Sequence, residues 1–393
     1  MPSSDFLFIH PLLGADDAWS GFSVEFAPGE ASPDALSRLK EAEKLDEFDH
    51  RQAWLIPAIP EASAKSRIDE RTVVVFPARP ATDDAATLMQ YEASLRQAHR
   101  KIGLSTTPDC KLPATGTWDY LLLTASHARC LPPFAMLGLC SRTVLIATDV
   151  HSHADRQWLL DNACTLSTGE FLLSRRTPSA KADTTRVKLL ELLALIADDA
   201  DTGSLEAIFR QEPKLSYSLL RLVNSAAIAP RSPITSFSQA INLLGRRQLQ
   251  RWLQLLVYAD PNNGNQPNPL LQKAAARGHL LELLAPQLKP QLQVDNLADA
   301  AFMIGAFSLL NVLLNMSMAE ILQQLPLSDL VRSALADHGG ALGRLLLAIE
   351  AAEGRNLGNA AQRLSELELT SADHLDAQLE AFSWAAKIRP SGN

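Results

Sequence analysis

The feature that most constrains the fold is a change of rhythm close to residue 176. Before it, short apolar runs alternate with polar or helix-forming stretches. The runs cover residues 6–10, 22–26, 72–76, 120–123, 143–147 and 170–173. Few polar residues interrupt each run, which is typical of strands buried on both faces of a parallel sheet. About six to eight such strand–helix units predict a TIM-like (β/α) barrel, complete or reduced.

The second half is helical almost throughout. Apolar residues recur at helical spacing, as in residues 215–223, and prolines separate the segments. Between the halves, residues 177–184 have the composition of a linker. At 393 residues the chain is long enough for two cores. We therefore predict an α/β domain at residues 1–176 and an all-α domain at residues 185–393.

Composition places the chain among globular proteins. Apolar residues make up 47% and charged residues 20%, and the net charge of −8 argues against a nucleic-acid partner. The four cysteines follow no zinc-binding spacing, so we expect free thiols in a reducing compartment. The first residues lack the basic start and apolar core of a signal peptide, which favours a cytoplasmic protein.

One stretch is long enough to cross a bilayer. Residues 300–319 contain no charged side chain. However, Asn311 and Asn315 lie within the stretch, and acidic Asp299 and Glu320 flank it without a basic anchor. We therefore expect a buried core helix rather than membrane insertion.

A group of possible metal ligands follows the apolar run at residues 143–147. Asp149, His151, His153 and Asp155 recur at every second position, so they would share one face if the strand continued. Imidazole could then bind zinc or iron, and a metal-dependent hydrolase using Asp149, His151 and His153 is one alternative. One strand supplies too few convergent ligands, however. We predict no metal site and no cofactor, with Asp155 at a helix N-terminus.

A second group is basic. Arg246, Arg247 and Arg251 follow one another closely, and Arg221 lies on a neighbouring predicted helix. Binding driven by release of counterions from nucleic acid needs a broad basic surface, which this cluster does not offer. We therefore predict local salt bridges and helix C-terminal contacts for these arginines.

The second half resembles the HDOD domain family. The likeness lies in "EPKLSYSLLRLVNSA" at residues 212–226 and "ITSFSQAINLLG" at residues 234–245. The signature positions are Pro213, Leu215, Asn224, Ser225 and Gly245. In this pattern Asn224 and Ser225 would end a helix, Ser236 would cap the next, and Gly245 would stop that one.

The HDOD resemblance implies a helical bundle similar to HD-type phosphohydrolases but without their metal-binding His-Asp pair. The place expected for that pair is residues 305–311, "GAFSLLN", which contain neither residue type. The histidines nearest in sequence, His279 and His338, lack a partnered carboxylate motif. We therefore expect both to be satisfied or surface histidines and this half to be non-catalytic.

An HDOD domain behind a barrel-like half resembles the EAL–HDOD signalling proteins. The first half then resembles a short, degenerate EAL domain, the fold of cyclic di-GMP phosphodiesterases. This likeness rests on "HPLLGADDAWSGFSVEF", "TWDYLLL", "LIATDVHSHADRQW" and "STGEFLLSRRTP". The resemblance implies a remnant pocket in which Ser23 replaces a metal-binding glutamate and Glu25 lies two positions later. Thr124 replaces an aspartate, and Thr148 and His151 replace two glutamates.

Phosphodiester hydrolysis needs divalent ions held by several carboxylates. We therefore expect a non-catalytic signal transduction protein that contacts other signalling proteins and is linked to cyclic di-GMP signalling. One alternative is a cyclic di-GMP receptor without turnover. EAL domains bind this ligand with an arginine, but the position expected for that arginine lies near Ala27 and holds no arginine here. This weakens the receptor alternative. The oligomeric state stays open.

Overall fold

The computed structural model describes residues 5–28, 31–59, 70–80, 84–132, 134–174, 194, 213–224, 234, 236–258 and 268–388. The chain forms two compact units. The first contains Met1–Ser174, Ala351–Ala361 and Thr370–Leu375, and the second contains Arg175–Glu350, Gln362–Leu369 and Asp376–Asn393. The linker at residues 177–184 lies outside the described residues, so the sequence-based domain boundaries stay predictions.

Within the described residues, eight strands close a barrel in sequence order. They are β1 (Leu7–Leu13), β2 (Trp19–Phe26), β3 (Ala53–Pro57), β4 (Thr72–Pro77), β5 (Ile102–Ser105), β6 (Tyr120–Thr124), β7 (Val144–Thr148) and β8 (Leu166–Ser167). Strand β1 is antiparallel to β2 and β8, and all other neighbours are parallel. The predicted TIM-like barrel is confirmed, and it closes with eight strands.

Five of the six apolar runs form strands, and one prediction is wrong. Residues 170–173 form a 3-10 helix, because β8 already pairs with both β7 and β1 at Leu166–Ser167 and completes the barrel before residue 170. The sequence analysis missed β3, β5 and β8. Strand β5 has four residues and contains Gly103, and β8 has two residues, so neither gives a long apolar run.

The barrel interior is a packed apolar core. Leu12, Leu55, Val73 and Ile146 form one buried cluster contributed by four strands. The parallel register aligns these positions, since Leu55 pairs with Val73 across β3 and β4. A Cβ atom on Gly21 would lie 2.9 Å from the carbonyl oxygen of Ala53, so glycine allows β2 to approach β3 closely.

Helices separate most of the parallel strands. In this unit they are α1 (Pro33–Glu41), α2 (Ala85–Gln97), α3 (Ala125–Cys130), α4 (Ala135–Cys140) and α5 (His153–Asp161). Helix α1 shows why its segment is helical. The hydroxyl of Ser32 accepts a hydrogen bond from the Ala35 backbone, Pro33 occupies the first turn, and Leu36 and Leu39 are buried.

The rest of the described chain is helical, as predicted. The helices are α6 (Pro213–Val223), α7 (Phe237–Leu256), α8 (Pro269–Leu284), α9 (Leu297–Phe307), α10 (Leu310–Leu314), α11 (Met318–Leu322), α12 (Asp329–Asp337), α13 (Gly340–Glu353), α14 (Leu357–Glu366) and α15 (Ser371–Ala386).

The uncharged stretch at residues 300–319 is not one helix. It belongs to α9, α10 and the start of α11, with a break at Ser308, whose hydroxyl donates to the Gly305 carbonyl at 2.7 Å. Among the described residues, Leu297–Leu314 is the segment long and apolar enough to cross a membrane, and 56% of it is buried. Phe302 and Phe307 are completely buried, in agreement with the predicted core role.

The HDOD signature residues organise α6 and α7. Helix α6 ends before Asn224, whose side-chain amide donates to the carbonyls of Leu220 and Ile234 at 2.7 Å each. Ser236 caps α7 as predicted, accepting from the Gln239 backbone. Gly245 stops the helix that begins at Phe237, as predicted, because its φ of 72° and ψ of 163° are not helical; α7 thus contains two helical segments separated at Gly245. Ser225 lies outside the described residues, and Pro213 and Leu215 lie within α6.

Candidate site at the mouth of the barrel

The remnant-pocket residues lie at the end of the barrel where β2 to β8 finish, which we call the barrel mouth. Ser23 pairs with Leu55 of the apolar core, so its side chain shares the interior face of the sheet, and Glu25 follows on the same face. Thr124 and Thr148 pair with each other at the ends of β6 and β7. In TIM-like barrels this end carries the active site.

The carboxylate of Glu25 has both a hydrogen-bond donor and an ion-pair partner. The hydroxyl of Ser23 donates to Oε1 of Glu25 at 2.9 Å. His10 pairs with Ser23 across β1 and β2 and is buried. The guanidinium of Arg355, in the segment Ala351–Ala361 of the same compact unit, forms an ion pair with Glu25 through Nη1.

Glu170 shares this arginine. Arg355 Nε lies 2.8 Å from Oε1 of Glu170, whose side chain is only 4% exposed. The Arg355 side chain is 15% exposed and that of Glu25 is 35% exposed, so Glu25 lies at the solvent side of the group. The barrel mouth therefore contains two carboxylates and one guanidinium that contacts both.

The electrostatics keep this group charged. Burial raises the pKa of Glu25, but Arg355 and His10 lower it more strongly, so the pKa lies below its ordinary value. Burial lowers the pKa of Arg355, but Glu25 and Glu170 outweigh that effect and raise it. At neutral pH Glu25 is therefore ionised and Arg355 protonated.

The hydroxyl residues of the mouth have local roles. Thr124 caps α3, because its hydroxyl accepts from the His127 backbone at 3.1 Å, and it also lies 3.0 Å from the Ser126 hydroxyl. Next to β8, Thr168 Oγ1 and Glu170 Oε2 are buried without a hydrogen-bond partner among the described residues. The mouth is thus rich in neutral oxygen atoms and poor in free negative charge.

The alternating Asp/His group does not form the face that a continuing strand would give. Strand β7 ends at Thr148, and Asp149 adopts a left-handed φ of 55°. The side chains of Asp149 and His151 are exposed, whereas His153 begins α5 with its ring 5.2 Å from that of Phe171. Among the described residues, no group of three or more His, Cys, Asp or Glu side chains is arranged to hold a metal ion.

Asp155 lies in the first turn of α5, as predicted for a helix N-terminus. Its carboxylate accepts hydrogen bonds from the Ser152 hydroxyl at 2.7 Å and from Arg129 Nε at 2.9 Å. These hydrogen bonds lower the pKa of Asp155. Asp155 is therefore a first-turn carboxylate with a salt-bridge partner, and Ser152 is the N-cap of α5.

A divalent ion of the kind that metal-dependent phosphodiesterases use does not fit the mouth residues. Such an ion needs several ionised oxygen ligands at about 2.0–2.6 Å. Glu25 and Glu170 are the carboxylates of the mouth group, and both already form an ion pair with Arg355. The remaining mouth positions, Ser23, Thr124 and Thr148, offer hydroxyl groups, which remain neutral at physiological pH.

In the helical unit, the region where HD-type phosphohydrolases would carry their His-Asp pair is close-packed around Gly305. A Cβ atom on Gly305 would lie 2.7 Å from the Cα atom of Gly278, so α8 and α9 touch there through their backbones. The predicted satisfied histidines have partners: His279 Nδ1 lies 3.0 Å from Glu282 Oε2, and His338 Nε2 lies 2.7 Å from Glu350 Oε2. Neither histidine is part of a metal-ligand group in the described chain.

Arg247 and Arg251 of the basic cluster form local salt bridges, as predicted, and the Arg246 side chain lies outside the described residues. Arg247 Nε lies 2.6 Å from Asp299 Oδ1, and Arg251 forms an ion pair with Glu282. Arg251 also lies 3.6 Å from Asp299. Because these carboxylates offset the positive charge of the two arginines, the arginines do not attract a polyanion such as nucleic acid.

Sequence reasoning located part of the mouth and missed the rest. It identified Ser23, Glu25, Thr124 and Thr148, which the barrel brings to one end, and His151, which lies exposed after β7. It did not identify Arg355 or assign Glu170 to the pocket. Arg355 is separated from Glu25 by 330 positions, so no local spacing signals the contact.

Comparisons with known proteins give a family match within the second half of the chain and relatives that match part of it. Residues 184–291 match the HDOD domain family, so the chain contains an HDOD domain. The chain is 32% identical over 190 residues to the cyclic di-GMP phosphodiesterase CdgJ of Vibrio cholerae, covering 48% of this chain and 43% of CdgJ. It is 27% identical over 255 residues to the uncharacterized protein YuxH of Bacillus subtilis, covering 63% of this chain and 60% of YuxH.

Solved structures with similarity to the chain include EAL domains. The EAL domain of Mycobacterium smegmatis DcpA matches with a TM-score of 0.33 and 14% identity, covering 43% of this chain and 92% of that one. The FimX EAL domain of Pseudomonas aeruginosa, bound to c-di-GMP, matches with a TM-score of 0.30 and 13% identity, covering 45% and 92%. The HDOD match and the similarity to CdgJ confirm the resemblance to EAL–HDOD proteins. The loss of activity in the first half stays a prediction.

Proposed function

We propose that this chain is a non-catalytic signal transduction protein of cyclic di-GMP-type signalling that acts in the cytoplasm through contacts with other signalling proteins. The observation that carries the proposal is the ion-pair group at the barrel mouth. Glu25 and Glu170 both form ion pairs with Arg355 of the same compact unit, so the two carboxylates share one positive charge. The HDOD domain and the similarity to CdgJ support the link to this signalling pathway.

The chemistry of phosphodiester hydrolysis explains why this group matters. The attacking water must be activated and the developing negative charge neutralised, which metal-dependent phosphodiesterases achieve with divalent ions. In this chain the guanidinium of Arg355 already pairs with Glu25 and Glu170, the carboxylates that would hold such an ion. A guanidinium can bind a phosphate, but it does not lower the pKa of a bound water as a metal does.

Exposed apolar side chains support a role in protein contacts. On the barrel unit Phe134 is 80% exposed and Leu137 on α4 is 52% exposed. Large apolar side chains are enriched at protein interfaces, and aromatic residues often contribute strongly to binding there. This supports the part of the proposal that assigns the barrel to contact rather than to turnover.

A cyclic di-GMP receptor without turnover is the second candidate. The observation that favours it is the pair of buried oxygen atoms at the mouth, Thr168 Oγ1 and Glu170 Oε2, which have no hydrogen-bond partner in the described part of the chain. Buried polar atoms usually have partners, and a bound base or sugar could supply donors to them. The polar lining of the mouth is then a recognition surface rather than a catalytic one.

Calorimetric titration with cyclic di-GMP tests the proposal. The full chain is titrated with and without Mn²⁺, and the mixtures are then assayed for the linear dinucleotide. We expect no hydrolysis. Turnover by the wild type would overturn the proposal, and its loss in the double variant E25Q/E170Q would assign catalysis to the mouth. Binding without turnover would favour the receptor instead.

A further inference from the structure

We infer that the Arg355 guanidinium is an internal counter-ion that takes the place of a divalent cation between Glu25 and Glu170, and that removing it creates a cation site in the barrel mouth. This inference deepens the proposed function and rests on it, because it names the group that keeps the mouth free of metal. It assigns to the two carboxylates a latent capacity for a hard divalent ion such as Mn²⁺.

The first support is the shared geometry. One guanidinium contacts both carboxylates, through Nη1 to Glu25 and through Nε to Glu170 at 2.8 Å. The two carboxylates therefore face the same guanidinium, whose place a cation would take. The Ser23 hydroxyl, which is 2.9 Å from Glu25 Oε1, adds a third oxygen donor. Carboxylate and hydroxyl oxygens are ligands that suit Mn²⁺, Mg²⁺ and Ca²⁺.

The second support is the burial of the charges. The side chains of Glu170 and Arg355 are 4% and 15% exposed. Ionised groups are not buried without a partner, because removing them from water costs much free energy. With Arg355 absent, the carboxylates would have to bind a proton or a cation from solution. Divalent cations supply the opposite charge in the smallest volume, so Mn²⁺ is the natural replacement.

The third support is the backbone at Arg355. It has a φ of 64°, in the left-handed region where glycine is favoured. The residue closes α13, with Arg355 N donating to Ala352 O at 3.0 Å and Asn356 N donating to Ala351 O at 2.9 Å. This is the helix end at which glycine is usual. An arginine with an unfavourable backbone conformation is consistent with a role for its side chain.

The test uses the full chain with three variants. R355G removes the charge and fits the left-handed backbone, which guards against misfolding. R355K is the matched control, since it keeps a positive charge at the same position although it lacks the planar fork of arginine. R355G/E25Q/E170Q lacks the carboxylates. Each protein is titrated calorimetrically with MnCl₂ and melted with and without it.

We expect R355G to bind about one Mn²⁺ more than the wild type, since one cation would replace one guanidinium. Its melting midpoint should rise on the order of 5 °C when Mn²⁺ is present at a hundred times its Kd. The wild type, R355K and the triple variant should show no such binding or shift. Equal Mn²⁺ binding by R355G and the triple variant would overturn the inference, as would binding at Glu25 and Glu170 in the wild type.

Two outcomes separate this inference from the proposed function. If the wild type hydrolyses cyclic di-GMP, the proposed function fails whatever R355G binds. If R355G binds no additional Mn²⁺ while the wild type remains inactive, the counter-ion inference alone fails. Far-ultraviolet circular dichroism of each variant shows that it is folded before titration, and R355G/E25Q/E170Q serves as a folded reference without the buried charges.

Discussion

The barrel mouth and the α8–α9 crossing are the two places where the family resemblances would put a metal site, and they differ in what occupies them. The mouth contains negatively charged Glu25 and a second carboxylate, Glu170, and one arginine forms ion pairs with both. At the crossing the backbones of Gly278 and Gly305 touch and leave no space. At the mouth, ion pairs take the place of a metal ion. At the crossing, backbone packing leaves no volume for one.

The two regions also use arginine differently. Arg355 contacts two carboxylates, whereas buried Arg277 of α8 donates to the Ser308 hydroxyl at 2.7 Å and lies 3.3 Å from Glu350. The comparison teaches that a site can be lost either by compensating its charge or by filling its volume. Stability that depends on the ion pairs of the mouth should change with pH and with added cations. Stability that depends on the packing of the crossing should change with side-chain volume.

We expect the largest loss of stability from a substitution that disrupts the close packing of α8 against α9. Gly305→Leu would place a Cβ atom 2.7 Å from backbone atoms of Arg277 and Gly278, which cannot move without separating the helices. We expect a loss of about 3 kcal/mol in the free energy of unfolding, measured by urea denaturation. Gly358→Ala is the control, because nothing lies within 4 Å of its Cβ position. Equal stability of Gly305→Leu and wild type would refute close packing at this crossing.

A smaller effect is expected from breaking the charge group. Arg355→Gly leaves two carboxylates unpaired, a change that costs about 3–5 kcal/mol for fully buried pairs. Glu25 is partly exposed, and glycine relieves the left-handed backbone, so we expect a net loss of about 2 kcal/mol at pH 7. Chemical denaturation measures it. Adding E25Q and E170Q should restore most of the stability, and failure of that rescue would contradict the charge-based account.

The pH dependence of the same variant sharpens the comparison. In the wild type the pKa of Glu25 is lowered from 4.5, so the stability it contributes is present above that value and is lost as the pH falls through the folded pKa. Arg355→Gly removes the partner that lowers this pKa. The difference between wild type and variant should therefore shrink between pH 6 and pH 3, and a constant difference would argue against the ion pairs.

A fourth prediction concerns His374, buried in the barrel unit against the rings of Phe6 and Phe8 at 5.6 and 5.3 Å. Burial lowers the pKa of His374 from 6.5 to about 3. The unfolded chain therefore binds a proton that the folded chain does not, and stability falls as the pH drops below 6.5. We expect His374→Gln to lose about 1 kcal/mol less than wild type between pH 7 and pH 5.5. Parallel stability curves for the two proteins would disprove it.

The smallest effect is expected at the Asp/His group. His151 is exposed and lies beyond the end of β7. His151→Ala should change the free energy of unfolding by less than about 0.5 kcal/mol. Calorimetry should also show no loss of Zn²⁺ or Mn²⁺ binding relative to wild type. A clear loss of metal affinity would revive the hydrolase alternative that this arrangement argues against.

The barrel could be predicted from the sequence because buried parallel strands leave apolar runs, such as residues 72–76 and 143–147. Strands of two to four residues, β5 and β8, leave no such signal. The helix end at Asn224 and the cap at Ser236 were predicted because capping chemistry is local. The helix stop at Gly245 was predicted for the same reason, because glycine adopts the φ of 72° that interrupts α7 there.

The site was predicted only where strand register determines it. Ser23 and Glu25 share a face because strands alternate, and this holds within β2. The same rule failed at Asp149, where a left-handed residue ends the alternation after β7. Arg355 was missed because its contact depends on tertiary closure over 330 positions, which no spacing in the sequence records.

Diffraction from crystals grown with Mn²⁺ and cyclic di-GMP, collected at the manganese absorption edge, tests the central claim most directly. The account predicts Arg355 between Glu25 and Glu170 and no anomalous peak at the barrel mouth. A manganese peak bridging the two glutamates, with Arg355 displaced, would contradict it.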